Sequence, residues 1–353
     1  MKKCVFCGLK PNEKTREHII PKWLIKLTGK ADRKITLGIN WNHFYKTGEM
    51  KERQFTFQSF HFPACKVCNE KYSNLENNTK LIITKILNDE YITATEIDIL
   101  LDWFDKVRVG LWLGFITLEK DFYQVMPKFS ISDRIGKKDR SLTAYKLKDN
   151  WKGITFGGVN LPCFSFNPGC FSLTINNYVF FNLSNDFIFS KNLGFPYPIS
   201  SSNIKGSRFT EIKFSEGTSS IKNKIYRIPF IFGGTELYQP VLLDKCENII
   251  NSENCKYVNE HLLKENELKG KIFIREYGKI DTLKNNEEIC LTTEKEFERE
   301  EFTKQMFNFL IKFQVQLLTH NTLLNKNENV NKKEIKNLQK LQNLLFKNRK
   351  KIN

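Results

Sequence analysis

The chain has 353 residues, 40% of them hydrophobic, and 56 Lys and Arg against 39 Asp and Glu give a formal net charge of +17. That length can bury a substantial core, in one large domain or two. No apolar run reaches the roughly 18–20 residues of a membrane-spanning helix, and the nearest approach, Val107 to Leu118, is interrupted by Arg108.

The N-terminal MKKCVF carries no signal-peptide apolar region, so a soluble, cytoplasmic protein with no membrane partner is expected. The basic balance favours a polyanion such as nucleic acid. The same Lys-, Asn- and Ile-rich composition also arises in an AT-rich genome without any such partner.

The first element in the chain is a C-x2-C pair, Cys4 and Cys7, and a second follows at Cys65 and Cys68. Such a turn sets two thiolates on one side of a tight loop, at the bite of a tetrahedral Zn²⁺. Two turns close the shell and leave no open position, so the expected zinc is structural. The 57 residues between the pairs, Gly8 to Ala64, must form structure of their own. The other five cysteines, Cys163, Cys170, Cys246, Cys255 and Cys290, lack tight spacing and read as ordinary thiols.

Inside the bracket, PKWLIKLTG (Pro21 to Gly29) predicts a short helix with Pro at its start and Gly at its stop. KITLGINW and RQFTFQSFHF predict strands. CNEKYSNLENNTKLIITKIL predicts a helix that opens at the second cysteine pair. The strongest helix is Thr95 to Ile116, with Thr95 and Asp98 as a capping box and apolar residues nearly all round, so it should be buried.

Residues 120–290 change character: short apolar runs alternate with turn signals, as in CFSLTINNYVFFNLSNDFIFS, where Asn-Asn separates two strand-like runs. RIPFIFGG and GKIFIREYG are similar, and a β-rich domain without a catalytic signature is expected. From about Thr293 helical spacing returns, with acids early, where the helix dipole favours them. The last 30 residues hold nine Lys or Arg against two Glu, a local charge of +7. That tail reads as a solvated helix or a nucleic-acid arm. Weak apolar spacing at Ile335, Leu338, Leu341 and Leu345 leaves helix pairing open.

One stretch remains, REHIIPKWL at Arg16 to Leu24, with a Glu-His pair inside the cysteine bracket. CVFC, EHIIP, CKVC and the Asn directly after the last cysteine, in that order, resemble the HNH endonucleases of the ββα-metal class. Within it they look most like the zinc-bracketed subset that includes a phage junction-resolving endonuclease. The resemblance covers roughly residues 1–80. It implies that His18 is the general base, and that Glu17 and Asn69 ligate a catalytic Mg²⁺ or Mn²⁺. The Asn that orients the base would be Asn40 or Asn42. Glu stands where Asp is commoner, and the stretch from His18 to Cys65 is longer than in compact members.

The expected fold class is therefore α+β. A zinc-stabilised ββα-metal (HNH) module spans 1–90, a buried linking helix 91–119, a β-rich domain 120–290 and a helical basic segment 291–353. The expected function is metal-dependent phosphodiester hydrolysis in nucleic acid, DNA in the first place. A place in bacterial restriction or phage defence is a fold-level analogy. The alternatives are a non-catalytic zinc-containing nucleic-acid-binding protein and a structural or partner-binding scaffold, and a homodimer or regulatory partner stays open. Arg16, Lys22, Lys66 and Lys71 are candidate phosphate contacts, which position without specifying. His61, four residues before Cys65, could ligate zinc or touch phosphate, and His43 is a weaker candidate.

Overall fold

The computed structural model describes residues 3–49, 51–56, 61–118, 127, 129–203, 210–218, 221, 233–242, 256–264, 268–276, 278–291, 295–324 and 332–349. Its first part runs β1 (Lys14–His18), α1 (Lys22–Leu27), β2 (Lys34–Ile39), α2 (Trp41–Thr47), β3 (Glu52–Thr56), β4 (His61–Cys65) and α3 (Lys66–Leu87). β1 pairs antiparallel with β4, Lys14 opposite Cys65 and His18 opposite His61, while β2 pairs with β3 in a separate ladder. The elements between β1 and β4 thus form an insertion, and α3 follows β4 directly. Tyr72, Thr79, Ile82, Ile83 and Ile86 recur at three- and four-residue spacing and are the buried face of α3.

The predicted strand KITLGINW stops at Ile39. Asn40 instead caps α2, its side-chain oxygen accepting from the His43 N–H at 3.1 Å. Gly48 ends that helix at φ 76°, the left-handed conformation that favours glycine. Residues 57–60 of the other predicted strand lie outside the described residues.

Next come β5 (Ile92–Thr93) and α4 (Ala94–Leu118). The capping box is Thr93 with Glu96, two residues before the expected Thr95 and Asp98. Glu96 accepts from the Thr93 N–H at 2.9 Å, and the Thr93 hydroxyl accepts from the Glu96 N–H at 3.3 Å. Asp98 is drawn inward, its carboxylate taken by Arg140 at 2.7 Å. α4 is as buried as its sequence implies, with Leu100, Leu101, Trp103, Phe104, Val107 and Leu111 all inaccessible. Gly110 permits the close approach of the segment after β1, because a Cβ there would lie 2.7 Å from Ile19 Cδ1.

α4 lies on one face of a seven-stranded antiparallel sheet. Its strands are β6 (Asp139–Lys146), β7 (Ile154–Gly157), β8 (Cys170–Ile175), β9 (Tyr178–Asn185), β12 (Thr235–Gln239), β15 (Phe273–Glu276) and β16 (Lys279–Thr282), in the order β16-β15-β12-β6-β9-β8-β7. β8 and β9 are joined by the predicted Asn-Asn turn, with Asn176 at φ 55°. The run YVFFNLSN is apolar on both faces for a physical reason. Tyr178 and Phe180 pack with α4, while Val179, Phe181 and Leu183 enter a second core on the opposite face.

That second face is covered by α7 (Arg299–Leu324) through Phe302, Met306, Phe309, Leu310 and Phe313. Between these parts lie α5 (Pro162–Phe166) and α6 (Lys256–Glu260). Short pairs join β10 (Pro198–Asn203) to β11 (Thr210–Phe214), β13 (Leu262–Lys264) to β14 (Lys269–Gly270), and β17 (Glu288–Ile289) to β5. RIPFIFGG falls mostly outside the described residues. α8 (Lys332–Arg349) packs on α5 and α7. Its buried Gln342 donates to the Ile311 carbonyl at 2.7 Å and accepts from the Cys163 N–H at 2.9 Å.

The sheet and α4 are also joined by buried charge. Arg140 of β6, fully buried, donates to Asp98, Asp102 and Asp105 of α4 and to Gln239 of β12. Lys269 reaches Asp98 at 3.3 Å and Asp102 at 3.1 Å, and Arg108 reaches Asp105 at 2.6 Å.

Three outcomes are expected from these buried contacts. Arg140→Leu should lower the unfolding free energy by roughly 3–5 kcal/mol, because it strands buried carboxylates. A urea midpoint unchanged from wild type would contradict this. Burial alone would raise the Asp98 carboxyl, but Arg140 and Lys269 hold it below its ordinary value. Its stabilisation is therefore complete above the unfolded carboxylate pKa near about 4 and is lost as pH falls through the lowered value. Separately, Gln342→Leu leaves the buried Cys163 N–H without its acceptor and removes a donor from the Ile311 carbonyl, and should cost about 1–3 kcal/mol, read as a lower melting temperature.

Candidate metal centre and basic pocket

Cys4 and Cys7 lie in a turn closed by the Gly8 N–H on the Cys4 carbonyl at 2.9 Å, with Gly8 at φ 73°. Cys65 is the N-cap of α3, and Cys68 stands in its first turn. The Val5 N–H donates to the Pro63 carbonyl at 2.9 Å, which seats the turn against β4. All four sulfurs lie within 4.8 Å of one another, and Cys7 and Cys65 are 3.8 Å apart. Tetrahedral Zn–S bonds of about 2.3 Å imply S···S edges of about 3.8 Å, so the donor set fits zinc. Among the described residues no other His, Cys, Asp and Glu group is gathered this way.

The electrostatics fit a metal as well. Burial would raise the Cys4 thiol, but the backbone N–H groups of Cys7, Cys65 and Phe6 hold it below its ordinary value. Desolvation, then the neighbouring sulfurs, push Cys65 up to about 11 and Cys68 up to about 12. Four crowded thiols thus resist ionising together, and a divalent ion at their centre reverses that balance. The remaining described cysteines behave as ordinary thiols: Cys163 and Cys170 are buried, and Cys290 donates to the Asp89 carbonyl at 3.1 Å. Cys246 and Cys255 lie outside the described residues.

The cysteine cluster ties the N-terminal turn to the end of β4 and the start of α3, β1 is held by its pairing with β4, and strand alternation then sorts the candidate residues onto two faces. Arg16 and His18 point to the outer face. There His18 meets His61, with ring centroids 5.8 Å apart. With Lys22, Ile25, Lys26 and Ala31 these residues line a pocket of about 460 Å³. Lys22 and Lys26 also border a neighbouring hollow of about 440 Å³ with Trp23, Leu27, Lys80 and Thr84. Among the described residues no Asp or Glu lines either.

Glu17 points to the inner face. It is 6% exposed, and its Oε1 accepts from Lys106 Nζ of α4 at 2.6 Å. Lys106 also pairs with Glu76 of α3. Asn69 stands on α3, where its amide donates to the Thr15 hydroxyl at 3.3 Å. The structure therefore brings Arg16, Lys22 and His18 together and sets Glu17 and Asn69 apart from them. In this arrangement Glu17 Oε1 and the Asn69 amide are each spent on another partner, Lys106 and Thr15.

The other candidates stand elsewhere. Lys66 pairs with Glu13 at 3.2 Å on the surface, and Lys71 lies over the Tyr72 ring at 5.7 Å. Asn40 spends its oxygen on the α2 cap, the Asn42 side chain lies outside the described residues, and His43 stands 3.7 Å from Glu49. Sequence reasoning missed Lys26, Lys80, Lys106 and Glu76. Lys26 was findable, because it follows Lys22 by four residues on a predicted helix and must share its face. Lys106 gave no local signal beyond a charge inside an apolar helix.

The expected outcome for the metal is about one zinc per chain by elemental analysis, with a marked loss in Cys65→Ser. Full zinc content in that variant would refute the assignment. Binding displaces thiol protons, so apparent affinity should rise with pH by roughly tenfold per unit for each proton displaced.

Among the described residues no helix is long and apolar enough to cross a membrane. Comparisons with protein-family profiles, with curated proteins and with solved structures return no match.

Proposed function

We propose that the chain cleaves phosphodiester bonds in nucleic acid, DNA in the first place, as an endonuclease of the HNH kind with His18 as its general base. The observation that carries this reading is the outer pocket, where His18 stands among Arg16, Lys22, Lys26 and His61. A neutral imidazole can take a proton from water at neutral pH. The surrounding cations fix phosphate oxygens and offset the charge that grows on them in the transition state. The adjoining hollow with Lys80 extends the same positive surface along α1, a path on which a nucleic-acid backbone can lie. Restriction or phage defence is the setting this reading suggests, by analogy alone.

A second reading is favoured by the inner face. With Glu17 on Lys106 and Asn69 on Thr15, the front of the chain would serve as a zinc-braced module that binds nucleic acid without cutting it.

Cleavage of plasmid DNA decides between them. His18→Ala should slow cleavage by roughly 10²–10⁴-fold with binding kept. Wild-type rates in His18→Ala would remove its role as base, and binding without any cleavage in the wild type would select the second reading. Replacing Lys26 and Lys80 by Ala should flatten the log–log salt dependence of binding by roughly 0.9 for each phosphate that is no longer neutralised.

A further inference from the structure

We infer that the Lys106 ammonium is the permanent counter-ion of the Glu17 carboxylate, and that the folded chain takes no divalent ion through Glu17. Three elements meet at this ammonium. Lys106 comes from the middle of α4 and its side chain is 1% exposed, while the Glu17 side chain of β1 is 7% exposed and that of Glu76 of α3 is 19% exposed. Nζ stands 2.6 Å from Glu17 Oε1 and binds Glu76 Oε1 as well. The Phe6 ring lies 5.7 Å from the same nitrogen and stacks on Tyr72 with centroids 4.3 Å apart. Phe6 belongs to the cysteine turn, so the zinc-bound loop roofs the ion group.

A divalent ion at Glu17 would have to displace this ammonium. The side chain is tethered to a helix enclosed on all sides, and moving it off its carboxylates would leave a buried charge unpaired, which costs several kcal/mol. The second expected ligand is also out of place. Asn69 and Glu76 are seven residues apart on α3, about 10 Å along its axis at 1.5 Å per residue. Asn69 meets β1 at Thr15, whereas the cation is held at the Glu76 level. The incoming ion would have to take Glu17 and Glu76 from the ammonium that already neutralises them, in exchange for its hydration shell, and Asn69, held at Thr15, adds nothing to that set.

The group carries two carboxylates and one ammonium. Removing the ammonium alone would leave two buried carboxylates facing one gap, a charge that one divalent ion would neutralise. Lys106→Met, close to lysine in shape, should therefore open a metal site that the wild type lacks.

The test reads metal binding, so its result is separate from whether the chain cuts nucleic acid. Mn²⁺ is titrated into zinc-loaded full-length protein, and free Mn²⁺ is followed by its electron paramagnetic resonance signal. Wild type and Glu17→Gln should bind Mn²⁺ alike. One Mn²⁺ per chain bound by the wild type and lost in Glu17→Gln would overturn the inference. In the same buffers, millimolar Mn²⁺ should raise the melting temperature of Lys106→Met and leave the wild type unchanged. A folded Lys106→Met indifferent to Mn²⁺ would overturn the assignment of Lys106 as the cation of this group. If that variant does not fold, the comparison of wild type with Glu17→Gln still decides.

Discussion

A helix enclosed by apolar neighbours can carry ionisable groups only if each finds an opposite charge in the interior. α4 carries six such buried or half-buried groups: Glu96, Asp98, Asp102, Asp105, Lys106 and Arg108. Their partners come from the first elements of the chain and from the sheet region. Lys106 is answered by Glu17 of β1 and Glu76 of α3, and the three aspartates by Arg140 and Lys269 of the sheet region. α4 therefore has one rotation and one height at which all its charges are matched. A slip by a residue would bury several unpaired charges, at several kcal/mol each. Replacing the whole set by apolar side chains would cost little on the same principle. What the charges contribute is a unique seating, with apolar burial supplying the driving force.

This seating explains why the first hydrophobic core ignores the boundaries that composition suggests. Cys4, Ile19 and Ile83 belong to the same buried cluster as Phe104, Phe171 and Leu237. The pairing of β5 with β17 ties residues 92–93 to 288–289 in the same way. Composition shifts mark where strands give way to helices, but they carry no information about which apolar faces end up against each other.

What was legible in the sequence follows from local physics. The cysteine pairs, the burial of α4, the α3 stripe and the Asn-Asn turn all depend on spacing within a few residues. What was not legible depends on partners far away. Thr95 and Asp98 look like a capping box until Arg140 claims Asp98, and the box then falls to Thr93 and Glu96. The tail reads as a solvated helix or a basic arm because its lysines dominate, yet Gln342, a residue with no special signal, anchors α8 through two buried backbone groups. Neighbouring Glu17 and His18 read as one functional unit, and the strand separates them.

That separation has a consequence for how the hairpin divides its labour. The β1–β4 ladder ends at Cys65, a member of the cysteine cluster, so the two faces of β1 are held in a fixed relation to that cluster. On the inner face Glu17 is buried against Lys106. The outer face is open, basic and holds both histidines of the hairpin. Under the proposed reading a polyanion meets the outer face, and the inner ion group acts on it through the strand. Placing Glu17 in the interior makes β1 unable to shift register, because a one-residue slip would carry a carboxylate into the basic pocket and an imidazole onto the Lys106 ammonium. The buried pair thus protects the identity of the face that His18 occupies.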